Sequence, residues 1–519
     1  MKNKLLLTLM LFSLVLTGCN KQDTLEEKKF ISEIKKTTTG KTYYSVDDKS
    51  ITPIGVQIRT DLLLWEEKQD FSVVEDRLQR AKDLGVTLVE IPITWKDTEP
   101  TKDAYDFRAL GKILNKAYEL DLKVEILTFG TNTTGWSDNV PDYIKKDANT
   151  YPRYQSKSQN GLFLVQNNEN LLSREGKWLD AMMTSIKTWS DNHNNAHVVS
   201  AIQIHNESDT FPRFILSQQE IKTVDGSRRL TDIEAWKETK EAYNYLGGII
   251  KNSDYPCITR VNVAQAYKDT WKSFVIDIFN LENIDIIGDD TYEQTVAFNK
   301  SVIQDFNSIE DFNGNNFPHI SENDGSYATT PSLILASTAL GGGYMIYDLA
   351  TPEIALDEYG WDDWSILNPR TLEDKAHTSL TRNIIKGISL AGNKYTLTDK
   401  ENIATFNIKT NLPEEKLKQH IQTTHALIDF ETDSKALAYA ITSNTEIYLY
   451  ATSNSSFTFS NVTLGKVQTG YVNTDGLFIK NSDVTITNNT LFAQGETLYR
   501  IDVNNIESQL ISNTVRSIG

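Results

Sequence analysis

Eight segments that read as β-strands, each followed by a helical pattern, run from Ile51 to about Tyr395. The strand candidates are ITPIGVQIR, TLVEIPITW, KVEILTFG, VVSAIQIHNE, CITRVNVA, NIDIIGDDTY, FPHISENDG and GGYMIYDLA. Between them lie amphipathic stretches such as FSVVEDRLQRAKDLG, FRALGKILNKAYELD and IEAWKETKEAYNYLGGIIKN, and EDKAHTSLTRNIIKGISLAG follows the eighth. Repeated β-then-α units of this kind predict an α/β fold, a (β/α)8 TIM barrel. A doubly wound sheet is the other option, but no Gly-rich phosphate fingerprint follows the first strand.

The pattern changes at about Lys394. Short Thr- and aromatic-rich runs, among them NIATFNIKT, LAYAITSN, EIYLYATSN and TLYRIDV, are separated by Asn, Ser, Asp and Gly turns. Their spacing predicts a C-terminal antiparallel β-sandwich. The expected organisation is a leader over 1–19, a charged flexible tether over 20–45, the barrel over 46–395 and the sandwich over 396–519.

The leader is the most specific local signal. MKNK supplies positive charge, LLLTLMLFSLVL a short apolar run, and LTGC small residues ending in Cys19. The run is too short for a spanning helix and suits a signal peptide. LTGC resembles the bacterial lipobox, which implies cleavage before Cys19, lipidation of its thiol, and a place in the cell envelope. The anchor would be in a bacterial membrane, with the outer membrane, periplasmic or surface-exposed, as the expectation. The other cysteine, Cys257, opens an apolar strand and reads as a buried structural thiol.

A formal charge of −18 argues against nucleic acid, because phosphate binding needs a basic stripe and none is visible. An acidic chain with 10% aromatic residues suits a neutral polar ligand better.

The ends of the fourth and seventh strands sharpen this. Barrel strands deliver their last residues to the C-terminal rim, where loops build active sites. AIQIHNE ends in Asn206-Glu207 and PHISENDG carries Glu322, so two glutamates can meet across the barrel mouth. Two facing carboxylates are the constellation for glycoside hydrolysis. Glu207 would be the acid/base, held protonated by burial and by the opposing charge, and Glu322 the nucleophile. Asn206 is placed to hydrogen-bond the sugar 2-hydroxyl. No cofactor is needed, since the carboxylate pair suffices.

With HNE ending strand four and SEN ending strand seven, the chain resembles the clan A retaining glycoside hydrolases. The stretch ITWKDTEPTKDAYDFRALGKILNKAYELDLKVEILTFG is similar to the Trp…Glu-Pro…Gly-x-Tyr-Asp-Phe region of family 35 and family 42 β-galactosidases. The likeness covers about Ile51 to Tyr395. It departs at Ala104, where those families carry glycine, and at QIHNESD, which replaces QxENEYG. The resemblance implies a carbohydrate substrate, with membrane association through the lipid anchor alone.

Other rim residues are candidates for substrate contact. Tyr292 resembles the clan tyrosine that bonds the nucleophile. Arg59 ends strand one and either orients a carboxylate or forms a rim salt bridge. Strand alternation lets His205 face either way. Among Trp95, Trp136, Trp361 and Trp364, at least one is expected as a sugar platform, with Trp95 and Trp361 the named candidates. Asp289 and Asp290 have no third ligand at metal-site spacing and read as a solvated or substrate-bonding pair. A β-galactosidase-like hydrolase leads, with a β-1,3-glucanase or mannanase of the same mechanism as the alternative. A non-catalytic glycan-binding lipoprotein is the third reading. Sugar, linkage and oligomeric state are left open.

Overall fold

The computed structural model describes residues 30–156, 161–216, 221–264, 272–308, 317–408 and 417–506. The expected leader, Cys19 and the first part of the tether lie outside the described residues. Among the described residues no helix is long and apolar enough to cross a membrane.

Eight parallel strands close into a barrel. In chain order these are Ile54–Gln57, Leu88–Thr94, Lys123–Thr133, Val199–Asn206, Ile258–Ala264, Ile286–Asp290, His319–Asp324 and Gly343–Tyr347. They are called strands one to eight below. Strand eight pairs back onto strand one through Tyr344↔Ile54 and Ile346↔Val56. Each strand is buried along almost its whole length, as expected for a sheet covered on both faces. The expected helices follow in step, from Ser72–Leu84 after strand one to Thr378–Ala391 after strand eight. Their ends carry recognisable signals. Gly85 closes the first helix at φ 86°, where a side chain would be strained. Thr231 and Glu234 form a reciprocal capping box on Asp232–Asn252.

The tether expectation needs correction. Ser32–Lys36, Thr42–Val46 and Lys49–Ile51 form a three-stranded antiparallel sheet. Lys35, Lys36 and Lys41 gave this stretch its tether-like charge, yet Ile34, Tyr44 and Val46 are buried. They share a core with Ala201, Ile258, Ile286 and Phe317 at the N-terminal ends of barrel strands. The sheet closes that end of the barrel: Ile31 N donates to Pro256 O at 2.8 Å, and the Tyr44 hydroxyl donates to Glu125 Oε1 at 3.1 Å.

After the barrel, six- and four-stranded antiparallel sheets form a sandwich. Its interior holds Phe406, Phe430 and Phe457 in mutual ring contact. Its outer face docks on helix Thr378–Ala391: the Tyr439 and Tyr450 hydroxyls donate to the backbone oxygens of Gly387 and Asn383 at 2.5 and 2.6 Å. Gly387 is required there, because a Cβ would lie 2.3 Å from the Tyr450 ring. One apolar cluster runs from the barrel helices to Tyr439, Tyr448 and Tyr450.

Cys257, just before strand five, is fully buried, and burial pushes its thiol up to about 12.

Candidate active site

The C-terminal ends of the barrel strands open into a cleft of about 690 Å³. Glu207 and Glu322 both line it, with Gln57, Arg59, Asp61, Asn206, Tyr292, Tyr347, Trp361 and Trp364.

Strand four reaches the cleft through a kinked end. His205 and Glu207 have φ of 60° and 43°, a left-handed conformation that costs a non-glycine residue energy. The neighbours over-determine it. Glu207 N donates to Asn262 Oδ1 at 2.8 Å, and Thr134 N donates to Asn206 O at 2.7 Å. Asn262, on strand five, also donates from Nδ2 to Asn206 Oδ1 at 2.8 Å and to Asp290 Oδ2 at 2.7 Å. One buried amide thus ties together strands four, five and six.

Glu322 is only 5% exposed and receives two side-chain donors. The Tyr292 hydroxyl donates to Oε2, and Gln57 Nε2 approaches Oε1 at 3.4 Å. Gln57 Nε2 also donates to Glu90 Oε1 at 2.5 Å, so its amide is turned with the nitrogen toward both carboxylates. Glu90 pairs with the fully buried Arg260, whose Nε lies 3.4 Å from Glu125 Oε2. A continuous polar string therefore links Tyr44 at the barrel floor to Glu322 at its mouth.

The two glutamates differ electrically. Glu207 is pushed up to about 8, by desolvation first and then by the charges of Glu322 and Asp209. Glu322 is raised as well, by burial first, with the Tyr292 hydrogen bond, the Arg59 and Arg260 charges and the Gln57 amide opposing that rise. Asp290 is raised well above the carboxylate range by burial and by both glutamates. The donors and positive charges around Glu322 favour the proton on Glu207 and the charge on Glu322.

Arg59 lies on the cleft wall with its guanidinium forked onto Asp61, at 2.9 and 2.6 Å, and donates to the Tyr347 hydroxyl at 2.9 Å. It stands 5.1 Å from the Trp361 ring centre. Two expectations are corrected. Trp95 is fully buried, stacks on Trp178 and donates to Glu99 Oε2 at 2.7 Å. It starts the short helix Trp95–Thr98, which turns its ring into the core and away from the cleft. His205 is fully buried too, its Nε2 2.8 Å from Glu175 Oε1 on helix Glu169–Asn192. The left-handed backbone breaks the alternation and turns the ring outward from the barrel interior. Trp136 packs against Phe163 and Phe214, outside the cleft. Asp289 and Asp290 are fully buried, not solvated. Among the described residues no group of three or more His, Cys, Asp or Glu could hold a metal ion.

Gln57, Asn262 and Tyr347 escaped the sequence reading. The signal for the first two was a polar residue inside an otherwise apolar strand, in GVQIR and TRVNV.

A family model described as a β-galactosidase, that of glycoside hydrolase family 42, matches residues 64–219, a span that includes Asn206 and Glu207. Within that span the chain is similar to the family 42 glycoside hydrolases. A second model, described as a domain of unknown function (DUF4978), matches residues 239–413. No curated protein matches it. Similar solved structures include an exo-β-1,4-mannosidase from Opitutaceae bacterium strain TAV5, at 13% identity and TM-score 0.49, covering 70% of this chain and 63% of that one. A β-galactosidase from the psychrophilic Marinomonas ef1 gives 11% and 0.45, covering 65% and 59%. A GH30 endoxylanase from Clostridium papyrosolvens C71 gives 12% and 0.44, covering 88% and 97%. The chain thus spans less than two thirds of the length of the mannosidase and β-galactosidase.

Proposed function

We propose that the protein is a retaining β-glycosidase, with Glu207 as acid/base and Glu322 as nucleophile. The observation that carries this reading is the asymmetry of the pair. Donors from Tyr292 and Gln57 converge on Glu322, whereas Glu207 is raised by burial and by Glu322 itself. A held, ionised carboxylate facing a protonated one is what double displacement requires. Glu322 attacks the anomeric carbon while Glu207 gives its proton to the leaving oxygen. Glu207, now ionised, then takes a proton from water as that water breaks the glycosyl–Glu322 ester. Asn206, fixed by Asn262, is placed to bond the sugar 2-hydroxyl. The family match favours a β-galactoside as substrate, and a β-1,3-glucanase or mannanase remains the alternative.

Incubation with nitrophenyl β-galactoside, β-glucoside, β-mannoside and β-xyloside, followed by β-glucans and galactans, tests the reading. Wild-type turnover on at least one, lost in Glu322→Ala, is expected. Binding of these glycans without turnover would assign a glycan-binding lipoprotein instead.

Cys19 is proposed as the lipid anchor in the cell envelope, on the strength of MKNK, the apolar run and LTGC. Cys19→Ser should move the protein from the membrane to the soluble fraction; retention in the membrane would refute the anchor.

A further inference from the structure

One wall of the cleft is built of aromatic rings that climb outward from the proposed nucleophile. Tyr292, whose hydroxyl holds Glu322, has its ring centre 5.9 Å from Tyr347 and 6.5 Å from Trp364. Trp364 lies 5.8 Å from Trp361, and Trp361 lies 6.1 Å from Tyr359. All five line the same cleft. Tyr347 is 7% exposed, Tyr292, Trp364 and Trp361 are half-buried, and Tyr359 is 46% exposed. The cleft is also lined by the polar Asp61, Asp97 and Asn139, and by the Lys96–Glu66 pair at 3.2 Å.

The wall is held in place before any ligand arrives. Gly360 turns the chain at φ 69° between Tyr359 and Trp361, and Trp361 N donates to Ala355 O at 2.9 Å. Ile354 N donates to Glu67 Oε1 at 2.8 Å, tying this loop to the one after strand one. Arg59, fixed by Asp61, stands over the Trp361 ring. Aromatic faces kept at the edge of water offer contact area at little entropic cost.

We propose that the substrate is an oligosaccharide of at least three sugar units, with the two beyond the reacting sugar lying over Trp361 and Tyr359. Trp364, Trp361 and Tyr359 succeed one another at centre-to-centre steps of 5.8 and 6.1 Å, tilted by 43° and 53°, so each offers its own contact to a chain of sugars that leaves the site, and the polar groups of the cleft can meet their hydroxyls. A single-sugar pocket would have no use for the two outer rings. This rests on the glycosidase reading above.

The test uses the full chain, the four nitrophenyl β-glycosides, and galacto-, gluco-, manno- and xylo-oligosaccharides of two to five units. For the sugar hydrolysed, wild-type kcat/KM should rise from two to at least three units. In Tyr359→Ala and Trp361→Ala, kcat/KM for the tetramer relative to the aryl glycoside should fall about tenfold, mainly through KM. Tyr359→Phe, which keeps the ring, should retain the wild-type ratio. A wild-type rate independent of chain length, or an unchanged ratio in both alanine variants, would overturn the inference while leaving the glycosidase intact. Absence of turnover on every probe would overturn both.

Discussion

Asn262 Nδ2 lies 2.8 Å from Asn206 Oδ1, and the same amide accepts the backbone hydrogen bond of Glu207. Strand five thus sets both the residue proposed to read the sugar and the backbone of the proposed acid/base. Asn262→Ala should leave Asn206 and Asp290 short of a partner in a buried site. Removing such a partner costs about 1–3 kcal/mol. Chemical denaturation should show that loss, with a fall in kcat larger than any rise in KM. An unchanged kcat would show that Asn262 does not position the pair.

The pH dependence follows from the same site. Glu207 has to be protonated for glycosylation and is pushed up to about 8, so kcat/KM should fall as pH rises through that region. Replacing Glu322 with Gln removes one of the charges that raise Glu207, so Glu207 should then titrate at lower pH. Carbon-13 NMR of labelled glutamate side chains can follow this; an unmoved Glu207 titration would contradict the coupling.

Stability should carry the mark of Glu207 as well. Its folded value of about 8 lies above the ordinary 4.5. Below both values the carboxyl is protonated in either state and does not disfavour folding. Between them the folded state alone holds the proton, so stability falls as pH rises across that window. Glu207→Gln cannot ionise. Its stability relative to wild type should therefore grow between pH 5 and 8, as read from urea midpoints at each pH. A difference that stays constant would count against the buried, raised acid.

Inside the barrel, Arg260 and Glu90 pair where neither is exposed. Breaking a buried pair by removing one partner typically costs about 3–5 kcal/mol. Arg260→Met should lose that much, and adding Glu90→Gln should restore part of it by removing the stranded charge. A double variant no more stable than the single would show that the ion pair is not what holds this layer.

Much of this was legible in the sequence, for identifiable reasons. The eight strands were visible because a covered parallel sheet demands near-continuous apolar runs, and most end at a polar rim residue. Glu207 and Glu322 stood out at those ends. The N-terminal sheet was hidden because Lys35 and Lys36 follow buried Ile34 and Lys41 stands just ahead of buried Tyr44, so charge masked the alternation. His205 was undecidable, since its direction depends on a left-handed backbone that residue type does not announce. Trp95 was misplaced because a helix begins at that residue and turns its ring into the core.

The account stands or falls on the division of labour between the two glutamates. The direct measurement is the anomeric configuration of the azide adduct formed by each alanine variant on an activated aryl β-glycoside that the enzyme accepts. Glu322→Ala removes the nucleophile, so azide attacks once from the opposite face and should give the α-glycosyl azide. Glu207→Ala keeps the glycosyl–Glu322 intermediate, so azide displaces it with a second inversion and should give the β-azide. Exchanged anomers would reverse the two roles, and wild-type turnover in both variants would contradict the assignment of this site altogether.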